Sequence, residues 1–550
     1  MAVDRQTVSQ FSNEDTCKRL IYIANVRPKY YCGGPDKYTQ IKPAKLQFVK
    51  EIIGSDYNLL LKTIESVNDD PLIPYRKQIF NVLCSSMLLE EATKECKTDI
   101  STLIPKIMKY DEDFFDYVHC MSVSNKHKFS KSARRVVRLY YKDKTPSQLA
   151  RYYANTMSVH GWTHKRLITV CHVKAETPAH EIVLSYIMKK KCIDTDEDEA
   201  KENLELMKKC DELRKTSDKK LAVPLITELK ASMKLVDGKL RKSVAIWTAI
   251  VPNMSIKEIL QMLPKLYKYG FLKKDKSLYV KVSEILTTSS KVTECGIHPI
   301  EVFIQMKNFE SGGKPLDPKL LHHLVAEKNL SEEALAKYKA PVQIKSPTFI
   351  NTIQKCMNIS INNVKSVNKR FLITVDATNK MDTVCIGNRN ISSVEAAAAF
   401  LWYFLRTENH VTVAVFKETD IEVIPMDKKS QIHEYVQKIK ENENEYLLVS
   451  SPIEWASRNK KKIDVFINFI HHYEYHSTIP KDVKDTMKKP VDILKKYRQK
   501  LALPDAKLIN VCFTSTKLTI ADGSANILDI AGLDSEMPKV IEAFSRGHFC

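Results

Sequence analysis

The hydrophobic pattern of this chain changes its period near residue 367. From about residue 17 to residue 360, apolar residues recur every three or four positions, as on one face of an α-helix. Beyond residue 367, apolar runs with β-branched centres alternate with helical stretches. The two patterns predict a mainly helical domain followed by an α/β domain whose mostly parallel sheet is covered on both faces.

We divide the chain into an N-terminal arm at 1–16, a helical module at 17–366 and an α/β domain at 367–550. Many short helices with brief connections favour an α-solenoid of the HEAT or armadillo kind, without a fixed repeat period. Only 13 of the 550 residues are glycine, and neither G-x-x-x-x-G-K-[ST] nor G-x-G-x-x-G occurs. Chemistry of the P-loop type is therefore excluded.

Individual elements can also be predicted. Apolar runs in the α/β domain predict buried strands at 369–378, 411–416, 446–450, 462–470 and 507–514. In the helical module, an acidic block at 194–199 passes into mixed charge up to residue 220, which is typical of an exposed loop and a solvated helix.

The composition predicts a soluble protein of the cell interior. No stretch of ~18 uncharged apolar residues occurs, and the first ten residues lack an apolar core for secretion. The 13 cysteines are scattered without a C-x-x-C pair, as expected for buried free thiols in a reducing compartment. We expect a cytoplasmic protein, and the sequence is also compatible with a nuclear pool.

Positive charge is concentrated in one segment. The net charge of the whole chain is +20, and residues 121–174 hold twelve Lys and Arg against a single acid, Asp143. A solvated helix normally mixes both signs, so a stripe of cations without a carboxylate predicts binding to a polyanion. The opposite stripe of the same helix is apolar, with Ala133, Val136, Val137 and Tyr140. The basic stripe, at i, i+3, i+4, i+7 and i+11, consists of Lys131, Arg134, Arg135, Arg138 and Lys142.

The surroundings of the stripe favour RNA over a membrane or DNA. A membrane-binding helix needs bulky apolar side chains to insert, whereas small and β-branched residues suit packing against a neighbouring helix. Rings beside the cations offer stacking for unpaired bases, as in RNA loops, although most of them are expected in the core. Arg134 and Arg135 are the strongest candidates for phosphate contact, because a guanidinium can donate two hydrogen bonds to one phosphate. The rings are Tyr140, Tyr141, Tyr152, Tyr153, His160, Trp162, His164 and His172.

Metal-dependent and catalytic alternatives have less support. His160 and His164 could share a helix face as zinc ligands, but the acid of an H-E-x-x-H motif is missing, so an RNA contact or a structural histidine is favoured. A nuclease with two metal ions needs clustered carboxylates, which the basic segment lacks. We predict no catalytic residue and no cofactor. A protein-interaction solenoid is the alternative function.

Several motifs resemble the Ro ribonucleoprotein autoantigens, the TROVE-module family. The resemblance centres on HGWTHKRLITVCHVKAETPAHEIVLSYI (160–187), preceded by KSARRVVRLYY (131–141). Further similar segments follow along nearly the full chain: YYCGG (30–34), AIWTAIVPNMSIKEILQML (245–263), GIHP (296–299), KRFLITVDATNKM (369–381), RTENHVTVAVF (406–416) and LTIADGSANILDIAGLD (518–534).

The resemblance implies a ring of HEAT-like repeats closed by a doubly wound von Willebrand factor A-like domain. It also implies RNA binding in RNA quality control by a protein that is monomeric within its ribonucleoprotein. Small noncoding Y RNA would bind the outer basic face, and single-stranded ends of misfolded RNAs would enter the central hole. No membrane partner and no preference for DNA are expected. His172, in CHVK, matches the family's histidine for Y RNA, and the expected RNA-binding residues are Lys131, Arg134, Arg135, Arg138, Lys142, His164, Lys165, Arg166, His172 and Lys174.

The chain departs from the family in two places. Where the family carries Lys and Arg before the G-W-[ST]-H motif, this chain has NTMSVHGW (155–162), without a cation. In the A-like domain, the family's D-x-S-x-S turn holds a divalent ion through oxygen ligands. Here Lys380 replaces the second serine, and only Asp376 and Thr378 are retained as vestigial ligands. We therefore predict no metal at this turn.

Overall fold

The computed structural model describes residues 12–33, 43–126, 128–156, 158–272, 277–313, 344, 346–472, 480, 488–515, 518 and 520–550. Most of the predicted N-terminal arm lies outside these ranges. Its last residues belong instead to the first helix, α1 (Asn13–Ile23), because Ser12 accepts a hydrogen bond from the backbone N–H of Asp15 at 3.0 Å. Residues 13–16 therefore belong to α1 and not to the predicted arm.

The described parts of the module at 17–366 are mainly helical, as predicted. Many of them begin at a Ser or Thr whose side chain accepts a hydrogen bond from the backbone N–H three residues later, as at Ser130, Thr145 and Thr163, each at 3.2 Å. The helices are α2 (Pro43–Val67), α3 (Lys77–Leu88), α4 (Lys94–Ile107), α5 (Asp111–Ser124), α6 (Lys131–Lys142), α7 (Pro146–Asn155), α8 (His164–Cys171), α9 (Pro178–Lys189), α10 (Asp198–Lys215), α11 (Lys219–Leu229), α12 (Val244–Ile250), α13 (Ile256–Lys268), α14 (Ser277–Thr287), α15 (Ser289–Cys295), α16 (Pro299–Glu310) and α17 (Pro347–Ser360).

The mixed-charge helix α10 is less solvated than its composition predicts. Leu204, Met207 and Leu213 are buried. Asp211 accepts hydrogen bonds from the hydroxyls of Tyr153 in α7, at 2.6 Å, and Tyr186 in α9, at 3.0 Å. One face of α10 therefore packs against its neighbours and only the other faces solvent.

The α/β domain contains a seven-stranded sheet in the order β1-β9-β8-β7-β2-β5-β6, in which only the β5–β6 pair is antiparallel. A separate antiparallel pair is formed by β3 and β4. The strands are β1 (Lys29–Tyr31), β2 (Arg370–Val375), β3 (Val384–Cys385), β4 (Asn388–Ser392), β5 (His410–Phe416), β6 (Ile421–Val423), β7 (Val465–Ile470), β8 (Lys507–Cys512) and β9 (Ile527–Ala531). The helices are α18 (Ser393–Thr407), α19 (Ile432–Lys440), α20 (Ser451–Arg458), α21 (Pro490–Leu501) and α22 (Met537–Arg546).

Both faces of the sheet are buried, as predicted. Side chains such as Ile373 and Ile467 join a core that continues into the helical module. Their neighbours on the strands, such as Leu372 and Phe466, pack into a second core with α20 and α21. The strand predicted at 446–450 is wrong, because this stretch buries its apolar residues without pairing to the sheet.

The edge strand β1 comes from the beginning of the chain. Lys29, Tyr30 and Tyr31 pair in parallel with residues 529–531 of β9. Tyr30 is fully buried, and its hydroxyl donates a hydrogen bond to Asp534 at 3.0 Å. The sheet thus includes residues that the predicted boundary assigns to the helical module.

The other end of the helical module also contacts the α/β domain. Lys307 of α16 pairs with Glu395 of α18 at 2.8 Å. Gln354 of α17 donates a hydrogen bond to the side chain of Gln431 at 3.2 Å. Both ends of the helical module therefore meet on the same domain. Within the described ranges, every helix is too short or too polar to span a bilayer.

Candidate nucleic-acid interface

Helix α6 separates a buried apolar face from an exposed basic face. Ala133, Val136, Val137 and Tyr140 are buried, as predicted. Tyr140 stacks on Phe114 of α5 with ring centroids 3.7 Å apart, which fixes how the helix is rotated. The side chains of Lys131, Arg135, Arg138 and Lys142 are exposed, whereas Arg134 is half-buried.

The basic stripe is unfavourable for the helix itself. The N-terminus of a helix carries a partial positive charge, so acidic residues are favoured in its first turn. The first turn of α6 contains Lys131 and no acid. Basic residues at this end weaken the helix, which indicates that they serve something other than stability.

A hydrogen bond joins α6 to the last residue of α8. Nε of Arg138 donates to the backbone carbonyl of Cys171 at 2.9 Å. The next residue, His172, ends α8 in the left-handed conformation, with a φ of 53°, and both His172 and Lys174 are exposed. We call Lys131, Arg135, Arg138, Lys142, His172 and Lys174 together the α6 surface.

Two further candidates, Lys165 and Arg166, are exposed on α8. The guanidinium of Arg166 lies over the ring of Trp162 at 4.3 Å from its centroid. Such stacking holds the planar side chain in one orientation. Arg166 is therefore partly ordered before any ligand binds.

His164 lies in the core, which corrects its prediction as an RNA contact. Its side chain is 3% exposed, and Nδ1 is 2.8 Å from the hydroxyl of Tyr141. Burial lowers the pKa of His164 to about 4, with a smaller contribution from Arg214. The burial of His164 could be predicted from the sequence, because it shares one helical stripe with the apolar residues Leu167, Ile168 and Cys171.

The basic stripe is not entirely free of carboxylates, contrary to prediction. Glu176 lies 3.2 Å from Nζ of Lys142, and both side chains are largely exposed. Arg134 is also less available than predicted, because its Nε is buried without a hydrogen-bond partner. The exposed guanidinium groups of the stripe are those of Arg135 and Arg138.

Most of the rings near the stripe are not open to a nucleic acid. Tyr140, Tyr141 and Trp162 are buried. His160 is exposed in the turn before α8 and stacks on His119 at 3.9 Å. His160 and His164 do not share a helix face, so the zinc pair considered from sequence does not form. Among the described residues, no group of three or more metal-ligating side chains occurs.

The turn after β2, where the fold family holds a divalent ion, does not fit one here. Asp376 is fully buried, and its two oxygens accept hydrogen bonds from the backbone N–H of Thr378 at 2.8 Å and of His471 at 3.2 Å. Burial, with smaller contributions from His472 and Lys380, lowers the pKa of His471 to about 4. Backbone hydrogen bonds thus engage this carboxylate, and the ammonium group of Lys380 lies close enough to lower the pKa of the neighbouring His471.

Comparison with known proteins supports the resemblance to Ro proteins. The model of the Ro60 von Willebrand A domain matches residues 370–545. RNA-binding protein RO60 of Caenorhabditis elegans is 21% identical to this chain, and the alignment covers 98% of this chain and 88% of the worm protein. The chain is thus similar to Ro proteins along most of its length. RNA-binding protein RO60 of Deinococcus radiodurans is 23% identical, over 75% of this chain and 71% of the bacterial protein.

A solved structure extends the likeness to the whole fold. The crystal structure of the Deinococcus radiodurans Ro (RSR) protein matches this chain with a TM-score of 0.80 at 19% identity. The match covers 98% of this chain and 100% of the bacterial one. The helical module and the von Willebrand A-like domain are therefore arranged as in that protein.

Proposed function

We propose that this Ro-like chain binds structured RNA on the α6 surface and acts as a non-catalytic ribonucleoprotein scaffold. The main observation behind this proposal is the hydrogen bond between Arg138 of α6 and Cys171 of α8. Because His172 and Lys174 follow Cys171, the bond brings them close to the basic stripe of α6. Lys131, Arg135 and Lys174 form no ion pair with any residue that the structure describes. Exposed cations without an ion-pair partner are suited to contact the phosphate groups of an RNA backbone.

The kind of RNA that we propose is based on the resemblance to Ro proteins. The relatives from Caenorhabditis elegans and Deinococcus radiodurans are both named RNA-binding proteins, and we propose a small noncoding RNA of the Y type as the main ligand. Because residues 155–162 lack cations, the α6 surface supplies most of the electrostatic affinity. We further propose that the helical module has a central hole, that single-stranded ends of misfolded RNAs enter it, and that the chain acts in RNA quality control.

The proposal is tested by neutralising three exposed cations without disturbing the buried face. The α6 variant carries Lys131→Gln, Arg135→Gln and Arg138→Gln. Its matched control carries Lys219→Gln, Lys220→Gln and Lys428→Gln, which remove the same charge at exposed positions elsewhere. Binding of a labelled small hairpin RNA is measured by fluorescence anisotropy.

We expect the α6 variant to bind the RNA at least about tenfold more weakly than the control variant, because hydrogen bonds from charged groups to phosphates are lost. Circular dichroism verifies that both variants are folded. Equal affinity of the two variants would contradict the α6 surface as the binding site. RNA binding by neither the variants nor the unmodified protein would contradict RNA binding itself.

A further inference from the structure

A second basic surface lies on the α/β domain, more than 300 residues from α6 along the chain. It is formed by the turn after α20 and by α21. The lysines there are exposed and form no ion pair with any residue in the described ranges. We call them the lysine surface: Lys460, Lys461, Lys462, Lys495, Lys496 and Lys500.

Hydrogen bonds hold the two parts of the lysine surface together. The hydroxyl of Tyr497 in α21 accepts from the backbone N–H of Ile463 at 2.7 Å and donates to the carbonyl of Lys461 at 2.8 Å. Nζ of Lys500 donates to the carbonyl of Ser457 in α20 at 3.0 Å. The run of three lysines therefore lies against the C-terminal half of α21, and the six ammonium groups share one region of the surface.

The neighbouring carboxylates that the structure describes leave this region positive. Asp464, which follows the run of lysines, binds the guanidinium of Arg370 through both oxygens, at 2.6 and 2.9 Å. Glu454 of α20 lies 3.7 Å from Lys488, outside the six. Asp492 lies one turn before Lys496 on α21 without forming an ion pair with it. The lysine surface is thus not a solvated face that mixes both signs.

From this arrangement we infer that the lysine surface is a second RNA-contact surface, which binds the phosphate backbone irrespective of base sequence. The inference rests on the proposed function. Lysine acts on phosphates as a flexible point charge rather than as a planar fork, which suits sequence-independent contact with a duplex or an extended strand.

The chemistry of the surface favours RNA over other anionic partners. Protein interfaces depend on buried aromatic and Arg anchors, and membrane-binding faces need exposed apolar side chains. The exposed large apolar residues in the described part of the α/β domain, Val384 and Val423, belong to β3 and β6. An RNA bound at both surfaces gains affinity over an RNA bound at one, because the second contact is intramolecular.

The test uses the full chain and a structured RNA long enough to contain a duplex arm beside its loop. The lysine variant carries Lys460→Gln, Lys461→Gln, Lys462→Gln and Lys496→Gln; Lys500 is retained because it bonds to the carbonyl of Ser457. A matched control carries Lys219→Gln, Lys220→Gln, Lys428→Gln and Lys429→Gln. The affinities of both variants, the α6 variant and the combination of α6 and lysine variants are measured against salt concentration.

We expect the lysine variant to lower the slope of log affinity against log salt by about two to four relative to its control, one for each lost phosphate contact. The combined variant should bind more weakly than either parent. An unchanged slope in the lysine variant overturns the inference while a weakened α6 variant still supports the proposed function. If only the lysine variant loses RNA affinity, the result supports the inference and contradicts the proposal that the α6 surface binds RNA. The inference is also overturned if the lysine variant keeps its RNA affinity but loses binding to polyglutamate. That result would indicate an acidic protein partner.

Discussion

Nε of Arg138 and the carbonyl oxygen of Cys171 lie 2.9 Å apart, in a hydrogen bond between α6 and the C-terminal end of α8. This bond uses one of the five N–H donors of the guanidinium and leaves the others available to a ligand. It also holds the side chain in place, so that less conformational entropy is lost when a phosphate binds.

Arg138→Lys tests whether this geometry contributes beyond charge. The substitution keeps the positive charge but removes the planar fork and its bond to Cys171. We expect about fivefold weaker binding of RNA, since hydrogen bonds to charged groups are worth ~1.5–3 kcal/mol and the substitution removes part of one such interaction. Anisotropy titrations measure the effect, with Arg151→Lys as the control at an exposed arginine outside the α6 surface. Equal effects of the two substitutions would mean that only charge matters at residue 138.

Glu176→Gln tests whether the pair with Lys142 restrains RNA binding. Removing the carboxylate frees Lys142 for phosphates and takes away a repulsive charge. We expect RNA affinity to rise about two- to fivefold at low salt, while the free energy of unfolding changes by less than about 1 kcal/mol, as for other exposed pairs. The exposed Glu202→Gln on α10 is the matched control. A fall in affinity would show that Glu176 orders the loop rather than competing with RNA.

The buried His164 predicts a dependence of stability on pH. Its pKa is lowered by burial from 6.5 to about 4, so the unfolded chain takes up a proton at a higher pH than the folded protein does. The free energy of unfolding therefore decreases as pH falls from 6.5 to about 4, by up to about 1.4 kcal/mol per pH unit for this group. Desolvation lowers the pKa of the half-buried His298 to about 3, which acts in the same direction.

The double variant Tyr141→Phe, His164→Leu isolates this contribution, because it removes both partners of the hydrogen bond together. Urea unfolding at a series of pH values should give a flatter profile between pH 6.5 and 4 than for the unmodified protein. RNA affinity at neutral pH should be unchanged, since neither side chain is exposed. A large loss of RNA affinity in a folded double variant would indicate that His164 contributes to RNA binding after all.

Divalent ions should leave the stability of the A-like domain unaltered. Both oxygens of Asp376 accept backbone hydrogen bonds, and a ligand that does not bind the folded state cannot raise its melting temperature. Calorimetry during a Mg²⁺ titration, and after treatment with a chelator, should give the same melting temperature. A saturable upward shift would show that a metal site has survived.

The local elements of this protein could be predicted from its sequence, and the contacts between distant elements could not. The basic and apolar stripes of α6 follow directly from helical periodicity, as does the burial of His164 once Leu167 and Ile168 are placed on the same face. The pairing of Tyr30 with Ile530 joins residues 500 positions apart, and a strand of three residues has too short a pattern to be recognised. The bond between Lys142 and Glu176 likewise depends on how a loop folds back onto α6.

The central claim is that RNA binds through phosphate contacts on the α6 surface. It is tested most directly by the slope of log affinity against log salt for a small hairpin RNA, compared between the unmodified protein and the variant with Lys131→Gln, Arg135→Gln and Arg138→Gln. The account predicts that the slope becomes shallower by about two to three, because up to three phosphate contacts no longer release counterions. An identical slope in a folded variant would contradict it.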